Sequence, residues 1–300
     1  MTAQALPYII ILGFFWGSTL IASRFSVGQF HPTTYIGLRL SLAGLGHIAV
    51  YAFSRQRVWP KDRRLWQHAL LLGVVGTAVP MTAIVSSLQY LSSGLASILL
   101  TTNPALTILF ANFFLADETL TKRKALGVLL ALSGAALLAL RGETGLADVG
   151  QSNPIGYILI AVAMLFGSSM TIYARKHMQD LDAFDVASIR MLVAALLVMP
   201  LSAIFIGFDL SPVTGTGYLA LAYAAFIGTF LGMMLAFYNI KRFGATASAM
   251  TSYVMPIVTS LGGWLLLDEQ ITSTMLFGVA LIISGIALIN HHSGQTVNHG

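Results

Sequence analysis

Apolar residues fill stretch after stretch of this chain, each closed by a short cluster of charge, glycine or proline. A run such as ALGVLLALSGAALLAL is apolar on every side. A membrane barrel strand would instead alternate apolar and polar positions over about ten residues, so this pattern belongs to a helix packed in lipid and protein. Reading between the breaks predicts helices near 7–28, 32–53, 68–90, 94–115, 121–141, 154–174, 183–207, 215–238, 244–267 and 272–290. Each approaches the roughly 20 residues that a bilayer crossing needs. The expected fold class is all-α integral membrane, with ten transmembrane helices.

Composition strengthens that reading. The 300 residues are 56% hydrophobic and only 9% charged, with a mean hydropathy of +0.80, whereas a soluble domain carries about 25% charged residues. The net charge of +5 does not point to nucleic acid, because the cations sit in short connections where they orient a membrane protein. Zero cysteines exclude disulfides, thiolate catalysis and cysteine-held metals. The start, MTAQALPYIII, lacks the basic region and cleavage site of a removed signal peptide, so the first run is expected to stay as a helix. The expected partners are the lipid bilayer and a small-molecule substrate, with no nucleic acid, no cofactor and no obligate protein partner.

Cations alternate between the two sides of the predicted bundle. Arg55, Arg57, Lys61, Arg63, Arg64, Lys122, Arg123, Lys124, Arg175, Lys176, Lys241 and Arg242 fall on the side of both termini, against Arg24 and Arg141 on the other. The positive-inside rule therefore places both termini in the cytoplasm.

The chain also repeats itself at an offset of about 150 residues, in the range of one small domain. FWGSTLIASRF echoes LFGSSMTIYARK, Arg39 falls over Arg190, and GVVGTAVPM echoes AFIGTFLGM with Gly76-Thr77 over Gly228-Thr229. Pro104 answers Pro256, Glu118 answers Glu269, and Gly127 and Gly134 answer Gly278 and Gly285. The matches divide the chain into a first five-helix repeat at 1–146, a second at 147–292 and a tail at 293–300. Five is odd, so the second copy enters the membrane from the opposite face and the repeats are inverted. DETLTKRK keeps its three cations on the cytoplasmic side, while its copy DEQITSTM lies outside without them. The acid pairs Asp117-Glu118 and Asp268-Glu269 precede helices whose N-terminal N–H groups favour an anion, with Thr121 and Thr272 as N-caps.

Inverted halves suit a carrier, since two related units can rock about a midplane site. Residues at that depth propose the site: Trp16, Thr77, Met81, Thr101, Asn103, Thr229, Met233 and Tyr253, beside helix breaks at Pro104 and Pro256. Such a cavity is polar, uncharged and lined by thioethers and rings, which suits a flat apolar substrate with a polar head. Each feature has a packing alternative: the prolines as kinks, the Met and Thr as helix contacts, Trp16 as filler or as a stacking platform. Gly13-xxx-Gly17 and Gly228-xxx-Gly232 read as close helix contacts. Arg39 and Arg190 lie about 10 Å deep at 1.5 Å per residue, near enough to reach an interface or bond carbonyls. Inversion sends them toward opposite faces, so they cannot share one substrate carboxylate and are read as structural. His47 is read as a satisfied buried imidazole.

No Asp or Glu falls at midspan, which favours a facilitator or exchanger over a carboxylate proton relay. No phosphate-binding loop GxxxxGK[ST] occurs, and no H-E-x-x-H, G-x-S-x-G or paired midspan aspartates, so neither ATP hydrolysis nor an intramembrane enzyme is expected.

The paired P…[DE]E…T…G…SG ends, the WGS of the first helix and the two five-helix copies resemble the EamA-type branch of the drug/metabolite transporter superfamily over nearly the whole chain. Within that branch the chain looks most like the bacterial YddG-type exporters of aromatic amino acids. The resemblance implies export of aromatic or neutral amino acids, and of flat aromatic xenobiotics, across the bacterial inner membrane through a central cavity. The alternative is an exporter of drugs, nucleobases or other small metabolites driven by proton exchange.

Overall fold

In the computed structural model, residues 4–115, 119–147, 153–244 and 250–290 are described. The acid pair Asp117-Glu118 and the tail at 293–300 lie outside them. The chain folds as helices α1 (Leu6–Phe25), α2 (Pro32–Phe53), α3 (Arg63–Ser87), α4 (Ser93–Phe114), α5 (Lys122–Leu140), α6 (Pro154–His177), α7 (Ala183–Phe205), α8 (Gly215–Phe243), α9 (Thr251–Leu267) and α10 (Ser273–Asn290). Among the described residues, nine of these have the length and composition to cross a membrane, and α9 is apolar but shorter. The protein is a multi-pass membrane protein, and the described residues form no strand.

Helix ends differ from expectation where caps and glycines decide them. Helix α3 starts at Arg63 rather than 68 because the Asp62 carboxylate accepts from the Arg64 N–H. Helix α1 stops at Phe25, before Gly28 with φ +85°, and α8 continues to Phe243, where Gly244 takes φ +88°. Thr121 and Thr272 cap as expected, accepting from the Lys124 and Met275 N–H groups. Ser92, Asn153, Asp182 and Thr214 do the same for α4, α6, α7 and α8.

Contacts pair the two halves in an exchanged pattern. Helix α1 packs on α9 as α6 packs on α4, and α3 packs on α7 as α2 packs on α8, while α2 meets α7 and α5 meets α10. Glycines set the closest approaches: a Cβ on Gly134 would stand 2.8 Å from the Gly278 carbonyl oxygen, so the α5–α10 backbones touch as small-residue membrane interfaces do. Among the described residues the apolar core divides into three clusters, around Leu95, Leu99 and Ile282, around Ile36, Leu40 and Met191, and around Leu65, Leu72 and Ile189.

Candidate functional site

Two arginines reach across the halves to matched threonines. Arg39 in α2, 8% exposed, donates from Nε to Thr229 Oγ1 at 2.8 Å and from Nη1 to Ser23 Oγ at 3.3 Å. Arg190 in α7 donates from Nε to Thr77 Oγ1 at 2.9 Å. The threonines stand where α3 and α8 widen into π-helical turns, Val74–Ala78 and Ala224–Leu231. Each hydroxyl gives its proton to the carbonyl five residues back, Thr77 to Leu72 and Thr229 to Ala224. The oxygen is then free to accept from the opposite half's guanidinium. The arginines therefore bond hydroxyls rather than an interface or carbonyls, a correction to the sequence reading.

The π turns were invisible in the apolar pattern. Their signal was the repeated Gly-Thr with a disrupting residue shortly after. In α3 that residue is Pro80, which cannot bond the Gly76 carbonyl and whose ring crowds it, so the preceding turn opens.

A cavity of about 150 Å³ lies against Arg39. Its wall comprises Trp16, Thr19 and Leu20 of α1, Met81, Ile84 and Val85 of α3, Leu100 of α4, Met255 of α9 and Arg39 itself. Of the residues proposed from sequence, it brings together Trp16 and Met81. Thr77 and Thr229 stand behind the arginines, and Met233 packs beside the core cluster around Leu40. The Asn103 side-chain oxygen accepts from Ser168 at 2.6 Å, and the Tyr253 hydroxyl accepts from Asn290 at 3.1 Å. Thr101 donates to the Ser97 carbonyl at 2.8 Å and stands 3.4 Å from the Ser252 carbonyl.

The two prolines part company. Pro104 opens the second segment of α4, Asn103–Phe114, after a turn at Thr101–Thr102. Pro256 lies inside a continuous α9. Its missing N–H orphans the Ser252 carbonyl, and the Thr101 hydroxyl lies beside that oxygen, so the helix holds where a break was expected.

A larger crevice of about 500 Å³ lies between α3, α6 and α7, walled by Val79, Leu159, Leu201 and Phe205. Phe205 is 75% exposed, and the crevice wall carries no charge, as befits a surface for acyl chains. The cavity with the cation is the better candidate for solute.

Charges at the helix ends fasten connections together. Glu269, 3% exposed, accepts from the Ser93 N–H at 2.7 Å, the Ser93 hydroxyl at 2.9 Å and the Gly94 N–H at 3.1 Å, with Arg24 Nε 3.9 Å away. Its carboxylate thus caps α4 and not α10, the helix it precedes, because α4 presents free N–H groups in a dry site. At other helix ends Arg57 meets Asp182 at 2.8 Å and Asp185 at 3.3 Å, and Arg64 meets Asp180 at 2.6 Å. His47 is only half satisfied: Nδ1 is 3.0 Å from the Ser188 hydroxyl, and Nε2 has no partner among the described residues.

Several proteins of similar sequence are named as transporters. The "Uncharacterized transporter YoaV" of Bacillus subtilis (strain 168) is 23% identical over 278 residues, 93% of this chain and 94% of that one. The "Uncharacterized inner membrane transporter YedA" of Escherichia coli (strain K12) is 24% identical over 291 residues, 95% and 91% of the two chains. A crystal structure shares the fold at a TM-score of 0.68 and 20% identity, over 98% of this chain and 100% of that one. The model of the EamA-like transporter family matches twice, at residues 4–140 and 154–291, and the chain belongs to that family.

Proposed function

We propose that the protein exports aromatic or other neutral amino acids across the bacterial inner membrane by alternating access, as a facilitator or exchanger. Ten helices form two inverted five-helix repeats with both termini cytoplasmic. The exchanged contacts between halves support this arrangement, as do the connections that bond to one another. Gln29 accepts from Thr214 and the Gln270 N–H donates to Gly145, whereas Arg57 and Arg64 reach Asp182 and Asp180. These two sets of connections alternate along the chain as ten crossings require.

The observation that carries the substrate class is the wall of the cavity. Trp16, Met81 and Met255 supply one large ring and two adaptable thioethers around a space sized for a ring. YedA is named as an inner membrane protein, which supports the same location here. Uptake of labelled phenylalanine or tryptophan into liposomes holding the purified protein tests the reading. Saturable uptake without an imposed gradient is expected. No uptake from folded protein, with or without a gradient, sinks it. The proton-driven alternative draws support from the unpartnered Nε2 of His47. Gradient-stimulated uptake lost in His47→Gln would favour that alternative.

A further inference from the structure

We infer that Arg39 is the subsite for a substrate carboxylate and that the substrate ammonium is dispensable, so the cavity accepts aromatic monocarboxylates. The inference rests on the transport reading for the role of the cavity, and on the geometry around Arg39 for its chemistry.

A buried guanidinium is costly unless an anion accompanies it. Arg24, Arg57 and Arg64, all more exposed, each stand within 4.0 Å of a carboxylate. Arg39 and Arg190 bond threonine hydroxyls instead, and of these two it is Arg39 that borders the cavity. At 8% exposure it has only two neutral hydroxyls, Thr229 and Ser23, and Nη2 has no protein acceptor among the described residues. The Thr229 proton is committed to the Ala224 carbonyl, so its oxygen pins Nε and fixes the plane of the fork. The guanidinium borders the cavity, so the vacant donors serve whatever enters it. An isolated intramembrane cation of this kind is a functional site by default, and a carboxylate is the planar acceptor that matches its fork.

The rest of the wall says what hangs from that carboxylate. Trp16, Met81, Ile84 and Met255 are apolar along most of their surface, and a space of about 150 Å³ holds a benzene ring. No carboxylate belongs to the wall. An α-ammonium entering there would find hydroxyls and the face of Trp16 but no countercharge, and would add a second cation beside Arg39. The ammonium therefore contributes nothing to recognition, and an amine without a carboxylate is repelled.

The test is equilibrium binding of labelled 3-phenylpropionate to the purified full-length protein, with phenylalanine and phenethylamine as competitors, alongside phenylalanine uptake into liposomes. Phenylpropionate is expected to bind at least as tightly as phenylalanine and at least about tenfold more tightly than phenethylamine, the value of one charge-assisted contact. Arg39→Gln should erase that preference, and Arg39→Lys should retain part of it. Equal binding of phenethylamine and phenylpropionate to wild type overturns the inference, as does a preference that survives in Arg39→Gln. Should Arg39→Gln fail to fold, the wild-type series and Arg39→Lys still decide. Phenylpropionate binding without phenylalanine uptake would sustain the subsite and sink amino acid transport. Phenylalanine uptake without carboxylate preference would do the reverse.

Discussion

The two halves carry the same arginine and threonine but set them in different surroundings. In the first, Arg39 is 8% exposed and borders a cavity roofed by Trp16, whereas the second half places Phe166, 41% exposed, at the position equivalent to Trp16. The packing one residue later differs too. A Cβ on Gly17 would stand 2.9 Å from the Met255 carbonyl oxygen, while one on Gly167 meets nothing within 4 Å. So α1 is clamped against α9 at Gly17, whereas Gly167 of α6 faces open space while its neighbour Ser168 is buried against Asn103 of α4. Two copies of one sequence plan thus sit in two packings, an asymmetry that the alternating-access proposal requires at either end of its cycle. Equivalence in sequence is therefore no guide to equivalence in role.

The largest effect expected from this contrast is at the glycines. Gly17→Leu forces side-chain atoms into a backbone carbonyl and should cost about 3 kcal/mol or more through overpacking, seen as loss of monodisperse folded protein on extraction. Gly167→Leu fills open space and should leave folding intact, and on the alternating-access proposal it should slow uptake by occupying room that opens and closes between the halves. If Gly167→Leu transports normally, the open space beside Gly167 has no part in the cycle.

Next comes the clasp at Glu269. Its carboxylate accepts three hydrogen bonds in a dry site and faces Arg24, so Glu269→Ala leaves two N–H groups and a cation without it. A loss of about 2–3 kcal/mol is expected, read as a lower midpoint in thermal unfolding. Glu269→Gln keeps an acceptor and should lose less; equal losses would mean that the negative charge carries the whole effect and the neutral acceptor contributes nothing.

A smaller effect separates the arginines. Arg190→Gln gives up one charge-assisted bond to Thr77 and should cost about 1 kcal/mol, with the carboxylate preference of the cavity unchanged. A preference lost equally in Arg190→Gln and Arg39→Gln would mean that the halves act as one site.

The sequence carried the architecture because each apolar run reports its own burial in lipid, and because the repeat doubled every signal. Among the described residues, the nine helices long enough to span and the caps at Thr121 and Thr272 follow from residues near one another in the chain. The site did not, since its defining bonds join residues far apart: Arg39 to Thr229, Arg190 to Thr77, Glu269 to Ser93. No periodicity encodes which hydroxyl faces which guanidinium. The reading of Glu269 as a cap for the next helix was local reasoning applied to a contact that is not local. The break expected at Pro256 went the same way, because the Thr101 hydroxyl that sits by the orphaned carbonyl comes from another helix. Arg39 was legible as a buried cation, but depth alone cannot show the cavity beside it.

The smallest effect lies at the opposite extreme of burial from Glu269. Partial burial raises the Asp182 carboxyl, but the N–H groups of Asp185 and Phe184 and the Arg57 guanidinium outweigh it and leave the group below its ordinary value. A depressed folded-state value means that its contribution is complete above the unfolded-state value of about 3.9 and disappears as pH falls through the folded-state one. Asp182→Asn should therefore lose that contribution at neutral pH, by a small amount since the pair is solvent-screened, and flatten the acid limb so that the two stability profiles meet below the folded-state value. The comparison with Glu269 is sharp because both carboxylates cap a helix and face an arginine, and only burial separates them. A neutral-pH loss in Asp182→Asn as large as that in Glu269→Ala would show that burial does not set the strength of these clasps.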